Sequence, residues 1–443
     1  MTGRTARATL ATLGVALWVG RGIDLGPVDL QPVQVVGALI GLALLSTTVT
    51  GVRPLAWLQP RSARDVAALA LAFTAVVTAA GFSAIDAQEP FSIVRFIARY
   101  LLGLVLLVSV LHFLQRPRNA RVLERALLAG AILSVALSAA GYLVPSLATI
   151  TIRYGDRAQG LLNHPNQLAM LLIAVAPLAI AVALEQPRRI GPWIRLLVIC
   201  SGVAMSGSKA NLAMLVFLLP TIGLLAAQLQ RGAFRRLGMA SALVVAAVLA
   251  VSVMWAVVRT ANPRTLTTLE RLLTEPVSTT AVASRLDMWQ VALDRALDSP
   301  WFGVGADHTA YYLPYSHAHN VFVEYFLTMG MTGLIALIVL LTALAFPASR
   351  ALFDALTRTS LTTGHRLRLL ALPMGTAAYV AASQSSDSFG GTTLPILWLL
   401  AALTIAELDH GDRLRNTDVR QRHVPTVPDA ATTSTIQPGR CPT

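Results

Sequence analysis

Ser316-His317-Ala318-His319-Asn320 runs directly into Val321-Phe322-Val323-Glu324-Tyr325 and an apolar stretch that continues past Gly330 and Gly333. Two imidazoles, an amide and a carboxylate therefore stand where a long polar loop meets an apolar run. Ionisable groups at the mouth of a membrane helix are costly unless paired, so the cluster reads as a place for proton transfer or ligand binding. Helix capping is the competing explanation, because Ser316 and Asn320 are ordinary cap types. His319 is the candidate base. A helix N-terminus and nearby cations both disfavour imidazolium, and a neutral imidazole accepts a hydroxyl proton as that hydroxyl attacks. Glu324, one turn on, orients a ring, balances charge or simply partners Asn320. His317 and His164 are weaker candidates of the same kind.

Two earlier segments share this character: Arg157-Ala158-Gln159-Gly160 leading to Asn163-His164-Pro165-Asn166, and Ser206-Gly207-Ser208-Lys209. Each precedes an apolar run, so each sits at a helix N-terminus with free N–H groups and partial positive charge. Arg157 and Lys209 are their cations, His317 or His319 is the potential cation of the third, and Arg285 sits at a fourth N-terminus, the start of a loop helix. Taken singly, each is a capped helix with a snorkelling cation. Taken together they suit an anion such as a diphosphate. Arg95 and Arg99, one turn apart in an apolar run, are candidates to extend that site inward; snorkelling is the competing explanation for Arg95, while Arg99 sits deeper.

The elements that must position these residues are membrane helices. The 443-residue chain is 55% hydrophobic and 13% charged, with a mean hydropathy of +0.63. Soluble domains carry about 25% charged residues, so recurring apolar runs of about 20 residues make this an all-α polytopic membrane protein. The net charge of +13 falls in short arginine-rich connectors at every second turn, the positive-inside pattern rather than a nucleic-acid groove. Expected spans are 8–23, 33–50, 66–83, 91–114, 126–147, 167–184, 196–205, 210–229, 238–258, a tenth reaching about 346, 369–382 and 393–406. That is about 12 spans with both termini inside. The span at 196–205 is short unless it extends back past Trp193. The first run is expected to stay as a span, because others follow it. The three motifs and the long loop 259–316 then share the extracytoplasmic face. The polar tail from Asp409, with its Arg, Thr and Pro, reads as a disordered cytoplasmic segment, 408–443.

Inside the long loop, Ser284-Arg285-Leu286-Asp287 reads as a capped helix start. Leu286, Trp289, Leu293 and Leu297 share one face, which also fits a helix lying flat on a membrane. Trp301-Phe302-Gly303-Val304-Gly305 suits a tight turn or a close backbone approach. Cys200 and Cys441 are the two cysteines, too far apart in character for a disulfide or a metal cluster. No nucleotide loop, carboxylate metal pair or Ser-His-Asp order is found. The absence of such machinery points to a donor activated by its own phosphates, whose leaving group needs cationic stabilisation.

These motifs, in this order, resemble the O-antigen ligase and polymerase family: Arg157 to Asn166, Ser206 to Lys209, Ser284-Arg285 with Trp289, Ser299-Pro300 to Gly305, and His317 to Glu324 with Gly330 and Gly333. The matching region is about 150–340 within a membrane domain expected over 1–407. The resemblance implies a GT-C-like glycosyltransferase of the bacterial cytoplasmic membrane. It moves a glycan from a polyprenyl diphosphate carrier to a hydroxyl acceptor on the outer face, without a metal or other cofactor. It also implies catalytic roles for Arg157 and Arg285, as diphosphate-binding arginines, and for His319, as the essential histidine. Asn166, Lys209, His317, Asn320 and Glu324 in the same motifs, and Arg99 outside them, are expected around the substrate from the residues themselves. Where the family often has arginine, Lys209 supplies charge without a bidentate fork. The motifs do not separate ligase from polymerase. Two rivals remain: a transporter or flippase for the same lipid-linked glycan, which should show paired repeats with broken helices, and an inactive scaffold in polysaccharide assembly.

Overall fold

The computed structural model describes residues 3–20, 23–24, 29–30, 32–49, 56–85, 87, 90–153, 157–229, 281–307, 318–384 and 393–422. Thirteen α-helices, a short 3-10 helix (Ser83–Ile85) and two small hairpins lie within them. In chain order they are α1 (Gly3–Ala16), β1 (Ile23–Asp24), β2 (Asp29–Leu30), α2 (Pro32–Val49), α3 (Pro60–Phe82), α4 (Pro90–Phe113), α5 (Pro117–Gly141) and α6 (Pro145–Thr151). Then come β3 (Ile152–Arg153), β4 (Arg157–Ala158), α7 (Pro165–Glu185), α8 (Ile190–Met205) and α9 (Lys209–Gln228). The last four are α10 (Ala281–Ala296), α11 (Val321–Thr357), α12 (Thr363–Ala382) and α13 (Leu394–Arg422).

Six consecutive helices, α2 to α7, begin on a proline. Proline suits the first helical position, where its missing N–H costs nothing and its φ is already helical. This is why α3 and α5 start six and nine residues before the hydropathy-based expectation, taking in charged residues such as Arg121 and Glu124. In α1 the error runs the other way. The helix ends at Ala16, not near residue 23, because the chain turns into the β1–β2 hairpin, where Ile23 pairs with Leu30. The helix expected at 196–205 does extend back past Trp193, starting at Ile190.

Helices α7, α12 and α13 form the centre of the bundle. Almost every residue of α7 is buried, and α13 is buried from Leu394 to Asp412. Such all-round burial is expected of a helix surrounded by others. Gly375 of α12 lies against the Ala174 carbonyl of α7, so small residues let the two backbones approach. Among the described residues, seven helices are long and apolar enough to cross a bilayer, with two shorter apolar helices at Pro32–Leu42 and Ile190–Met205. Seven is fewer than the twelve expected. The ninth expected span, 238–258, lies outside the described residues, α1 has only 14 residues, and α12 carries Arg366 and Arg368 in its first turns.

The bundle has two distinct ends. One gathers the starts of α7, α9 and α11, with the motifs found in the sequence. At the other, α7 ends at Glu185, paired with Arg368 of α12, and α9 ends at Leu229, whose carbonyl accepts from Arg366. Four of the connector arginines, Arg350, Arg358, Arg366 and Arg368, make structural contacts. Arg350 lies inside α11 beside Asp65 at 2.9 Å, and Arg358 bridges Asp354 and Asp412 at 2.9 and 2.8 Å. Arg366 donates to the carbonyls of Ala355, Leu356 and Leu229, satisfying the ends of two helices. The polar stretch from Asp409, expected to be disordered, continues α13 to Arg422. Asp409 is wholly buried and accepts the Gln59 N–H at 2.7 Å, placing a carboxylate at the α3 N-terminus.

Candidate functional site: a cation cluster beside His319

Arg157 stands on a two-strand hairpin. Arg153 pairs with Arg157 and Ile152 with Ala158, and Gln159 closes the turn through Thr151 and Ile150. The following residues are gripped by the segment just after α1: Gly20 donates to the Leu161 carbonyl, and Asn163 donates to the Gly20 carbonyl. His164 then caps α7, its Nδ1 accepting from the Asn166 N–H, so its role there is structural.

The Arg157 guanidinium is aimed by two hydrogen bonds. Nε donates to the Ser206 carbonyl and Nη2 to Asn166 Oδ1, both at 2.7 Å. These tie the first motif to the second. Ser206 and Gly207 turn the chain from α8 into α9, with Gly207 at φ 62° and Ser208 N–H on Ser206 Oγ. Lys209 opens α9, and both Arg157 and Arg285 are near enough to act on it with their positive charge. Burial pushes the guanidinium groups of Arg157 and Arg285 below their ordinary values. Among the described residues, no carboxylate forms an ion pair with Arg157, Lys209 or Arg285. Three partly buried cations that repel one another are a cost to the fold, and an anion would relieve it.

Helix α10 carries Arg285 but departs from expectation in two ways. It starts at Ala281, so Ser284 lies in its first turn rather than at its cap. The face turned to the protein is Met288, Ala292 and Ala296, packed against Val304, Ala318 and Leu327. Leu286, Leu293 and Leu297 are exposed, and only Trp289 of the expected face turns inward. Periodicity alone could not choose between two apolar stripes on one helix.

After α10, residues 299–305 dock into a break in α11. Gly330 has φ 61° and ψ −155°, which interrupts the helix. The Leu327 and Thr328 carbonyls accept from Val304 and Gly305, while Met331 and Thr332 donate to Pro300 and Trp301. The loop thus takes up the backbone groups that the break releases. A side chain at Gly330 would strike the Trp301 backbone, and one at Gly303 would strike Met329, so glycine is required on both sides.

Ala318, His319 and Asn320 precede the first half of α11. Asn320 Oδ1 caps it, accepting from Phe322 and Val323. Glu324 is buried, and its carboxylate accepts the Ala318 N–H at 2.7 Å. Trp289 Nε1 donates to the Ala318 carbonyl at 2.8 Å. His319 lies in the left-handed region at φ 51°, a conformation few non-glycine residues adopt and one that clusters at functional sites. His317 lies outside the described residues.

Arg99 has a carboxylate partner of its own. It pairs with Asp307 at 3.2 Å, in a segment anchored by Ser92 and Ser83 to the ends of α4 and α3. Asp307 escaped the sequence reading because its partner is 208 residues away and no local pattern marks it.

Residues 194–338 match the family model described as Wzy_C, O-antigen ligase. The match holds Lys209, Arg285, Trp289, His319, Asn320 and Glu324, while Arg157 and Asn166 precede it. Comparison with curated proteins gives no match.

Proposed function

From the premise that this chain carries an O-antigen ligase domain, which supports its assignment to the O-antigen ligase and polymerase family, we propose that it transfers or polymerises a glycan carried on a polyprenyl diphosphate. The family supports a membrane glycosyltransferase of the O-antigen ligase type in general terms. The particular donor and the residue roles are our reading.

The observation that carries it is the convergence of Arg157, Lys209 and Arg285, free of carboxylate partners among the described residues, one helical turn from the Trp289–Ala318–His319 contact. Four residues of helix separate Arg285 from Trp289, a rise of about 6 Å. In this reading the three cations hold the diphosphate. His319 takes the proton from the acceptor hydroxyl as its oxygen bonds to the anomeric carbon. The bond from that carbon to the diphosphate oxygen breaks, and the departing charge is met by the cations. A single displacement inverts the anomeric centre. The glycan is used on the face of the membrane that carries the motifs, which we assign to the outside of a bacterial cytoplasmic membrane. Arg99 serves a neighbouring position through Asp307 rather than the diphosphate itself.

The transporter reading draws support from the break in α11, but the groups released there are filled by residues 299–305. The test is transfer by purified protein in detergent with lipid-linked oligosaccharide, with and without EDTA. His319→Ala is expected to lower kcat by about 10²- to 10⁴-fold while still binding donor. Normal turnover by that variant would remove the base. Loss of activity in EDTA would move the leaving-group role to a metal. Donor binding without any product from wild type would favour the transporter.

A further inference from the structure

Ala318 is wholly buried, and both of its backbone groups are held by side chains. Glu324 takes the N–H and Trp289 supplies a donor to the carbonyl. The next residue is His319, in a backbone conformation that persists only where the surroundings impose it. The two clamps differ in origin. Glu324 belongs to the helix that His319 precedes, so its hold is local. Trp289 belongs to α10, 29 residues earlier in the chain, on the element that also carries Arg285.

We propose that Trp289 is a positioning residue: its indole N–H, through the Ala318 carbonyl, fixes the backbone that aims His319, and so registers the proton acceptor against the cation-bearing helix. The proposal rests on the reading of His319 as base and Arg285 as a donor contact. Its physical content is that α10 delivers two things at once. Arg285 faces the anion, and one turn on Trp289 grips the turn that holds the imidazole. A displacement of α10 therefore moves both together. A near-attack arrangement tolerates little error, and a shift of about 1 Å costs up to about 100-fold in rate. Packing alone gives Trp289 a simpler role, because it sits beside Met288, Ala292 and Ala296 in the small core under α10. The two roles separate experimentally, since phenylalanine keeps much of the packing and lacks the N–H.

The experiment uses the full chain in detergent or nanodiscs, with lipid-linked oligosaccharide as donor. Wild type, Trp289→Phe, His319→Ala and the double variant are compared for kcat, donor KM and unfolding temperature. Trp289→Phe is expected to lower kcat about 10- to 100-fold with donor KM and unfolding temperature unchanged. In the His319→Ala background the same change is expected to remove nothing further, because its effect passes through the histidine. Wild-type kcat for Trp289→Phe would overturn the proposal. So would a loss matched by a rise in donor KM and a lower unfolding temperature, which marks packing. If His319→Ala itself turns over normally, the base assignment fails first. If His319→Ala is inactive and Trp289→Phe is normal, only the role of Trp289 falls.

Discussion

The two ends of this bundle treat positive charge in opposite ways. At the end holding Glu185 and Asp409, arginines meet carboxylates or carbonyls: Arg368 lies between Glu124 and Glu185, Arg358 between Asp354 and Asp412, and Arg413 on Asp409. His365 Nδ1 lies 3.0 Å from Glu407. At the other end, Arg157, Lys209 and Arg285 crowd together with no carboxylate partner among the described residues, and Arg157 is steadied only by a carbonyl and an amide oxygen. Where charge is neutralised inside the protein, its work is to join helices. Where it is gathered and left uncompensated, the fold bears a cost that a bound anion repays. Arg99 with Asp307 is an exception at that end, as is the exposed Arg295–Asp298 pair at the end of α10, and both show that the protein can supply a carboxylate there.

Substitutions at the two ends should therefore separate stability from activity. The largest stability effect belongs to Arg368→Ala. It takes one of two arginines from Glu124, 2% exposed, leaving Arg121 at 3.2 Å, and Oε1 of that carboxylate already lacks a hydrogen-bond partner among the described residues. Breaking a buried pair from one side costs about 3–5 kcal/mol. Thermal unfolding in detergent should fall sharply, while the folded fraction keeps its kcat. An unchanged unfolding temperature would mean that the ion pairs are incidental and the comparison is wrong.

Arg157→Gln should show the reverse, with a smaller magnitude. Losing charge-assisted bonds to a diphosphate costs about 1.5–3 kcal/mol, or roughly 10- to 100-fold in donor affinity. The unfolding temperature should hold or rise, because one member of a repelling trio is gone. Titration with lipid-linked oligosaccharide and a parallel melt decide it. Unchanged donor affinity would leave Arg157 as a strut between the Ser206 turn and α7.

Glu324→Gln is the finest test. Glutamine keeps an oxygen that can accept the Ala318 N–H, so turnover should stay within about threefold of wild type. A fall as deep as that of Glu324→Ala would show that the negative charge beside His319 matters, and that this end is not wholly a place of positive charge.

Much of the helical framework was legible in one dimension. Apolar run length marked α3, α4, α7 and α9, and the prolines at 60 and 117 carried start signals that hydropathy averaging overlooked. The cap of α11 at Asn320 was readable from residue type. The buried face of α10 was not, because Met288, Ala292 and Ala296 compete with a more apolar leucine stripe, and only the neighbours decide which stripe turns inward.

By itself, the sequence determined that apolar helices alternate with arginine-rich turns and that cations precede several helices, because run length, period and cap chemistry are local properties. The tertiary structure alone decided which charges are neutralised. Asp409 reaches Gln59 across 350 residues, Asp307 reaches Arg99 across 208, and Trp289 reaches Ala318 across 29. An ion pair or a buried hydrogen bond depends on distance in space and on exclusion of water, and neither is written in the spacing of residues along the chain.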